Sequence, residues 1–223
     1  MRLESVRWAR RLLLTGAILT TLAAAGLVWQ TTGAGGGPIG MLRQLGLPAG
    51  DSPGHIGIVA GHSGNDSGAV CADGLTEAQV NQAVAGAVAQ ALRRRGATVD
   101  LLQEFDPLLE GYQADAFISI HADSCEVDLS GYKVASLEGG SAASDRLAEC
   151  LWEHYGPATS LLPHANTITY DMSRYHAFHE ISPQTPAAII EIGFLKGDRE
   201  LIAGHPDRAA QGIVAGLECF LKD

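Results

Sequence analysis

Two histidines and two glutamates carry the chemical content of this chain. His62 follows the apolar run Ile56 to Val59 and opens a loop of Gly, Ser, Asn and Asp. Glu77 stands at the start of an amphipathic stretch. His121 follows the run Ala116 to Ile120, and Glu191 is embedded in Ala187-Ala188-Ile189-Ile190-Glu191-Ile192. Two neutral imidazoles and one carboxylate form a three-ligand zinc set that leaves the fourth position for water. Zinc lowers the pKa of such a water from about 16 to about 7, which makes hydroxide available near neutrality. A carboxylate inside an apolar strand is costly unless it is paired or functional. Beside an activated water, Glu191 is placed to act as general base. Each residue alone has an ordinary reading. A histidine after a strand is commonly structural, Glu77 suits the positive end of a helix, and Glu191 can pair with a buried arginine. The set gains force only if the fold brings all four to one edge.

The elements around these residues predict that convergence. Ile56 to Val59 reads as a buried strand. Thr76 starts a helix with Gln79 placed for a capping box, and Val80, Val84, Ala87, Val88, Ala91 and Leu92 recur at helical spacing up to a closing Gly96. Strands are expected at Thr98–Leu102, Ala116–Ile120, Tyr132–Ser136, Tyr175–Glu180 and Ala187–Ile192. A helix is expected from Ser144 to Tyr155, ending at Gly156. Pro206 opens a last helix whose apolar stripe is Ala210, Ile213, Val214, Leu217 and Phe220. Strands alternating with helices imply a single α/β domain, with a mixed, mostly parallel central sheet and helices on both faces. In such sheets, strand C-termini and helix N-termini share the edge where ligands bind.

Ahead of that domain, Arg2, Arg7, Arg10 and Arg11 precede Leu12 to Trp29, a run without charge. It is long for a signal-peptide core and just long enough to span a membrane as a helix, with its basic end in the cytoplasm. Residues 1–29 are therefore read as a single-pass anchor, with cleavage near Leu22-Ala23-Ala24-Ala25-Gly26 as the alternative. Residues 30–54, rich in Gly, Pro and Thr, read as a flexible linker, and the folded domain as residues 55–223. In either case the domain is exported, extracytoplasmic and either membrane-anchored or secreted. From His55 onward, 10 basic side chains face 23 acidic ones, which excludes holding a nucleic-acid backbone by charge. Cys71, Cys125, Cys150 and Cys219 contain no CxxC pair, so a thiolate zinc site is not expected. Four cysteines allow three disulfide connectivities. Because Cys71 and Cys125 each follow a candidate ligand histidine, and Cys150 and Cys219 lie on the later helices, we favour those two pairs over the others and over four free thiols.

Gly61-His62-Ser63-Gly64-Asn65-Asp66-Ser67-Gly68-Ala69, Gly74-Leu75-Thr76-Glu77 with Asn81 in the following helix, Ser119-Ile120-His121-Ala122-Asp123, and Pro186-Ala187-Ala188-Ile189-Ile190-Glu191-Ile192-Gly193-Phe194-Leu195 together resemble the zinc-dependent N-acetylmuramoyl-L-alanine amidases of the amidase 3 type. The resemblance runs from about residue 55 to 221. It implies His62, Glu77 and His121 as ligands of Zn2+ and Glu191 as the catalytic glutamate. The implied reaction is cleavage, in peptidoglycan, of the amide between N-acetylmuramic acid and L-alanine of the stem peptide. The chain departs from the family pattern at Val59-Ala60 before Gly61-His62, at Ser63 in the loop, at Leu102-Gln103 where Thr-Arg is usual, and in the shortened stretch Phe105 to Asp115. None of these touches the four residues. His179 is the first candidate for a histidine at the oxyanion, ahead of His164 and His176. Asp66 and Asp123 are candidates to orient the ligands, with loop capping as their alternative. The remaining functional alternatives are a zinc peptidase cutting within the stem peptide, and a non-catalytic wall-binding domain derived from an amidase. Nothing in the sequence identifies an activator protein.

Overall fold

The structure is a computed structural model and describes residues 54–126 and 128–222. The expected anchor at 1–29, and the linker 30–54 except its last residue, lie outside the described residues. Among the described residues no helix is long and apolar enough to cross a membrane. In chain order the elements are β1 (His55–Ala60), α1 (Glu77–Arg94), β2 (Thr98–Leu102), β3 (Ala116–Asp123), β4 (Lys133–Ala135), α2 (Ala142–Thr159), α3 (Tyr170–Ser173), α4 (Ala177–Glu180), β5 (Ala187–Phe194), α5 (Arg199–Ile202) and α6 (Pro206–Lys222).

The sheet has five strands in the order β2-β1-β3-β5-β4. The first four are parallel, and β4 closes one edge antiparallel to β5. β1, β3 and β5 are near-continuous runs of Ile, Val, Ala and Phe, as strands buried on both faces require. Side chains alternate between the faces. Ile56, Ile58, Ile118, Ile120, Ala188 and Ile190 point into the larger core, where α1, α2 and α6 pack. Val59, Phe117 and Ile189 point the other way and are covered by Leu109, Met172, Tyr175 and Phe178 from short helical segments. The fold is thus the expected mixed α/β domain with an uneven division of helices. All three long helices share one face, and single turns cover the other.

Local signals explain most of the boundaries. Thr76 accepts from the Gln79 N–H at 3.2 Å, and the Gln79 side chain accepts in return from the Thr76 N–H at 3.1 Å, which completes the capping box. Gly96 follows the end of α1 at φ +91°, a conformation that glycine adopts without penalty. Two expectations fail. Residues 175–180 form no strand. Tyr175, Phe178 and Ile181 are all buried at a spacing of three, which is helical, and they seat α4 and the turn before it on the sheet. α2 also continues past Gly156 to Thr159, with Pro157 inside it. Gly156 stands there for packing, since a Cβ at that position would come within 3.0 Å of the Tyr132 hydroxyl.

α6 lies between α1 and α2 and contacts both. Its close approach to α2 needs glycines one turn apart: a Cβ at Gly212 would stand 2.8 Å from Tyr155 Cδ2, and one at Gly216 2.8 Å from Leu151 Cα. Both favoured disulfides form. Cys150–Cys219 ties α2 to α6 across 69 residues of sequence, and Cys71–Cys125 ties the segment before α1 to the segment after β3 across 54. Loops of this length give a cross-link worth about 4 kcal/mol through restriction of the unfolded chain. Changing Cys150 and Cys219 together to Ser is expected to lower stability by about that amount. Urea denaturation measures it, and an unchanged midpoint at unchanged slope would show that the bridge constrains nothing.

Candidate active site

The parallel register assembles the site. Ala60 of β1 pairs with Ile120 of β3, and His121 of β3 pairs with Glu191 of β5. The Gly61 N–H donates to the Ile120 carbonyl at 2.9 Å, which carries the β1–β3 pairing one residue beyond the strand and delivers His62 to the edge. α1 begins at that edge, and its N-terminus presents Glu77. The Glu77 N–H donates to Ala69 O at 2.8 Å, and Glu77 Oε1 accepts from the Asn81 amide at 3.2 Å and from the Ala122 N–H at 3.3 Å. The Asn81 amide also donates to Gly61 O at 3.1 Å. His62 adopts φ +65°, which a histidine rarely does. Such strain tends to collect at functional sites.

Glu77 Oε1 lies 3.2 Å from His62 Nε2 and 3.1 Å from His121 Nδ1. One ligand atom from each of the three residues falls within 4.8 Å of the other two. The surroundings are shaped to this group. A Cβ at Gly61 would stand 2.4 Å from the His121 ring, and one at Gly68 2.5 Å from Glu77 Oε2 and 2.7 Å from His62 Cδ2. The four cysteines are bound in disulfides, so the donor set is two imidazoles and a carboxylate, a set that suits zinc.

Each histidine has a carboxylate toward its far nitrogen. His62 Nδ1 meets Asp66 Oδ1 at 2.6 Å, and His121 Nε2 faces Glu104 Oε2 at 3.6 Å. Asp66 is therefore engaged with a candidate ligand. Asp123 is not; it pairs with Lys133, which is buried opposite Glu191 in the β4–β5 register and stands over the Phe194 ring. His179 is exposed on α4, and its ring makes no hydrogen bond or ion pair among the described residues. His164 bonds to Thr167 at 2.7 Å. The histidine that does reach the cluster's neighbourhood is His176, through Glu104.

Glu104, Tyr175 and Lys133 are the residues that motif reading passed over. Glu104 had an available signal, since it follows the end of β2 at the same edge as the other strand ends. Tyr175 and Lys133 had none. Their places depend on the turn of α3–α4 and on the short antiparallel strand.

Electrostatics separates the three buried carboxylates. Burial alone would raise Glu77, but contacts with His121 and His62 outweigh it and hold the carboxyl well below the usual range. The hydrogen bond to Glu77 is the main reason that His62 is raised to about 9. For Glu104, the penalty of burial is outweighed by His176, His121 and Tyr175, leaving it at about 2. Glu191 is pushed up to about 7 by burial. Its residue keeps partial exposure, while Oε2 is sealed from solvent with no hydrogen-bond partner. A carboxylic acid of this kind accepts and returns a proton near neutrality.

The described residues thus form an α/β domain whose sheet edge gathers two imidazoles and a carboxylate, with a second carboxyl, Glu191, paired in register beside His121. Residues 56–219 match the family model described as N-acetylmuramoyl-L-alanine amidase, and the chain belongs to that family, whose members are peptidoglycan amidases. Among solved structures it is similar to the catalytic domain of CwlV, an N-acetylmuramoyl-L-alanine amidase from Bacillus (Paenibacillus) polymyxa var. colistinus, at 28% identity and TM-score 0.61, covering 75% of this chain and 98% of that one. The N-acetylmuramoyl-L-alanine amidase AmiC2 of Nostoc punctiforme shares the fold at 24% identity and TM-score 0.62, covering 78% of this chain and 100% of that one. The CwlD amidase from Clostridioides difficile, solved in complex with the GerS lipoprotein, shares it at 20% identity and TM-score 0.60, covering 76% and 98%. No curated protein sequence matches significantly.

The raised Glu191 has a signed consequence for the metal-free protein. The unfolded chain releases this proton near 4.5 and the folded one near 7, so the folded state binds more protons between those values. The contribution of Glu191 to stability therefore falls as pH rises through that window. Metal-free Glu191→Gln is expected to match wild type below pH 4.5 and to exceed it above pH 7. Thermal unfolding across pH measures the difference, and a gap independent of pH would rule out the shift.

Proposed function

We propose that this chain is a zinc-dependent amidase that hydrolyses the bond between the lactyl group of N-acetylmuramic acid and the L-alanine of the stem peptide. In this reading His62, Glu77 and His121 hold the metal and Glu191 is the general base. The observation that supports it is the register pairing of His121 with Glu191, a carboxyl whose buried Oε2 has no hydrogen-bond partner and which burial pushes up to about 7.

When bound, zinc supplies polarisation of the scissile carbonyl and acidification of the attacking water. The remaining work falls to the protein. Glu191 Oε2 takes a proton from the water as it attacks, then returns it to the departing alanine nitrogen. The position of Glu191 beside His121 in the strand register suits both directions of transfer. The strand edge positions the imidazoles and Glu77 around the place of reaction, and Gly61 and Gly68 leave the room that any Cβ there would take from them.

Glu191→Gln is expected to retain one zinc per chain and to lose activity by roughly 10³-fold, within the range for removal of a general base. His62→Ala is expected to lose the metal. Metal analysis together with mass spectrometry of digested muropeptides checks both. The product should carry a new N-terminal L-alanine and an intact N-acetylmuramic acid. Cleavage inside the stem peptide would instead make the chain a peptidase, and wall binding by zinc-loaded protein without cleavage would make it a binding domain.

We further infer that residues 1–29 anchor an extracytoplasmic catalytic domain, residues 55–223, through the linker 30–54. The uncharged run Leu12 to Trp29 behind four arginines supports this, as do two disulfides, which persist in oxidising compartments. The full chain is expected in the membrane fraction after an alkaline wash, at a mass that includes residues 1–29. A soluble chain shortened near Ala25 would mark a cleaved signal segment instead.

A further inference from the structure

Glu104 is 5% exposed, and both of its carboxylate oxygens are committed. Oε2 accepts from the backbone N–H of His62 at 2.6 Å and faces the ring Nε2 of His121 at 3.6 Å. Oε1 accepts from the Tyr175 hydroxyl at 2.8 Å and meets His176 Nε2 at 2.8 Å. The clamp is itself braced. Tyr175 accepts from Ser119 of β3 at 3.0 Å, His176 Nδ1 meets Glu180 at 2.8 Å, and the His176 ring stacks on Phe105 at 4.1 Å. The Glu104 N–H also donates to Ser63 O at 3.0 Å, which binds the loop after β2 to the residue following His62.

His121 Nε2 is buried and has no hydrogen-bond partner. With Nδ1 turned toward Glu77, a metal held at that nitrogen would leave the proton on Nε2 and make that N–H a stronger donor. Glu104 Oε2 stands where such a donor needs its acceptor. Resting on the metal set proposed above, we propose that Glu104 is the positioning residue of the metal centre, one carboxylate oxygen orienting both histidine ligands, the first through its backbone and the second through its ring. Glu104 takes no part in proton transfer to substrate. With Oε2 accepting from the His62 N–H and Oε1 from the Tyr175 hydroxyl, the carboxylate is held as an acceptor.

The test is zinc affinity of the full chain, measured by competition with a chromophoric chelator, together with the visible spectrum of the cobalt-substituted protein. Glu104→Gln keeps the shape and removes the charge. It is expected to weaken zinc binding by about 10- to 100-fold, the usual effect of losing such a partner, and to alter the cobalt spectrum. A folded Glu104→Gln with wild-type affinity and wild-type spectrum overturns the proposal. If that variant does not fold, Tyr175→Phe with His176→Ala frees Oε1 and leaves the carboxylate present. This pair must weaken zinc by at least about threefold, and unchanged affinity again overturns the assignment. His121→Ala separates the two levels. If it binds zinc as wild type does, the ligand set is wrong. If it loses zinc while Glu104→Gln does not, only the role of Glu104 falls.

Discussion

The site depends on parallel pairing between β1, β3 and β5. Side chains alternate along a strand, so a slip of one residue between β3 and β5 would move Glu191 off the face that holds His121. The apolar runs guard against that slip. Ile118 and Ile120 on one face, and Phe117 on the other, are buried with their partners Ala188, Ile190 and Ala187. Hydrophobic burial in the strand interiors thereby fixes polar groups at the strand ends. The turn that brings Glu77 back to the same edge completes the candidate cluster.

A second constraint is charge. Glu77, Glu104 and Glu191 converge in a domain already rich in acid, and three ionised carboxylates so placed would repel strongly. The fold meets this in three ways. Glu77 is compensated by the two imidazoles that it touches. Glu104 is compensated by His176, Tyr175 and the His62 N–H. Glu191 keeps its proton to about 7. The Lys133–Asp123 pair beside Glu191 adds a buried cation on the β4 side, with its charge largely spent on its own partner. Sealed surroundings make each of these interactions stronger than it would be in water.

The sheet and the places of the four candidate residues at its edge were legible because each rests on a short-range pattern. A buried strand announces itself as an apolar run, a capped helix as Thr76 with Gln79, and the edge location of His62, Glu77 and His121 follows from where those elements stop. The segment 170–180 was misread because Tyr175, Phe178 and Ile181 are as compatible with a half-buried strand as with helical turns when read without their partners. That misreading also displaced the histidine assignment, since a strand there favours His179 whereas the turns expose it and send His176 inward. Glu104 stayed hidden for a different reason. Most of its partners lie more than 40 residues away in sequence, and no local pattern marks a residue whose role is to receive them.

The position of α6 has a consequence for how the molecule comes into being. The last helix fills the middle of the helical layer, with α1 on one side and α2 on the other, and its glycines admit it only at close quarters. A chain synthesised from its N-terminus onward therefore carries an open core until α6 has emerged. The sheet can pair earlier, but the apolar floor of that layer stays uncovered. Emergence of α6, and not of any earlier element, is the step at which this helical layer can close. The part of α6 that matters for this is its middle, Ala209 to Leu217, where its buried residues lie.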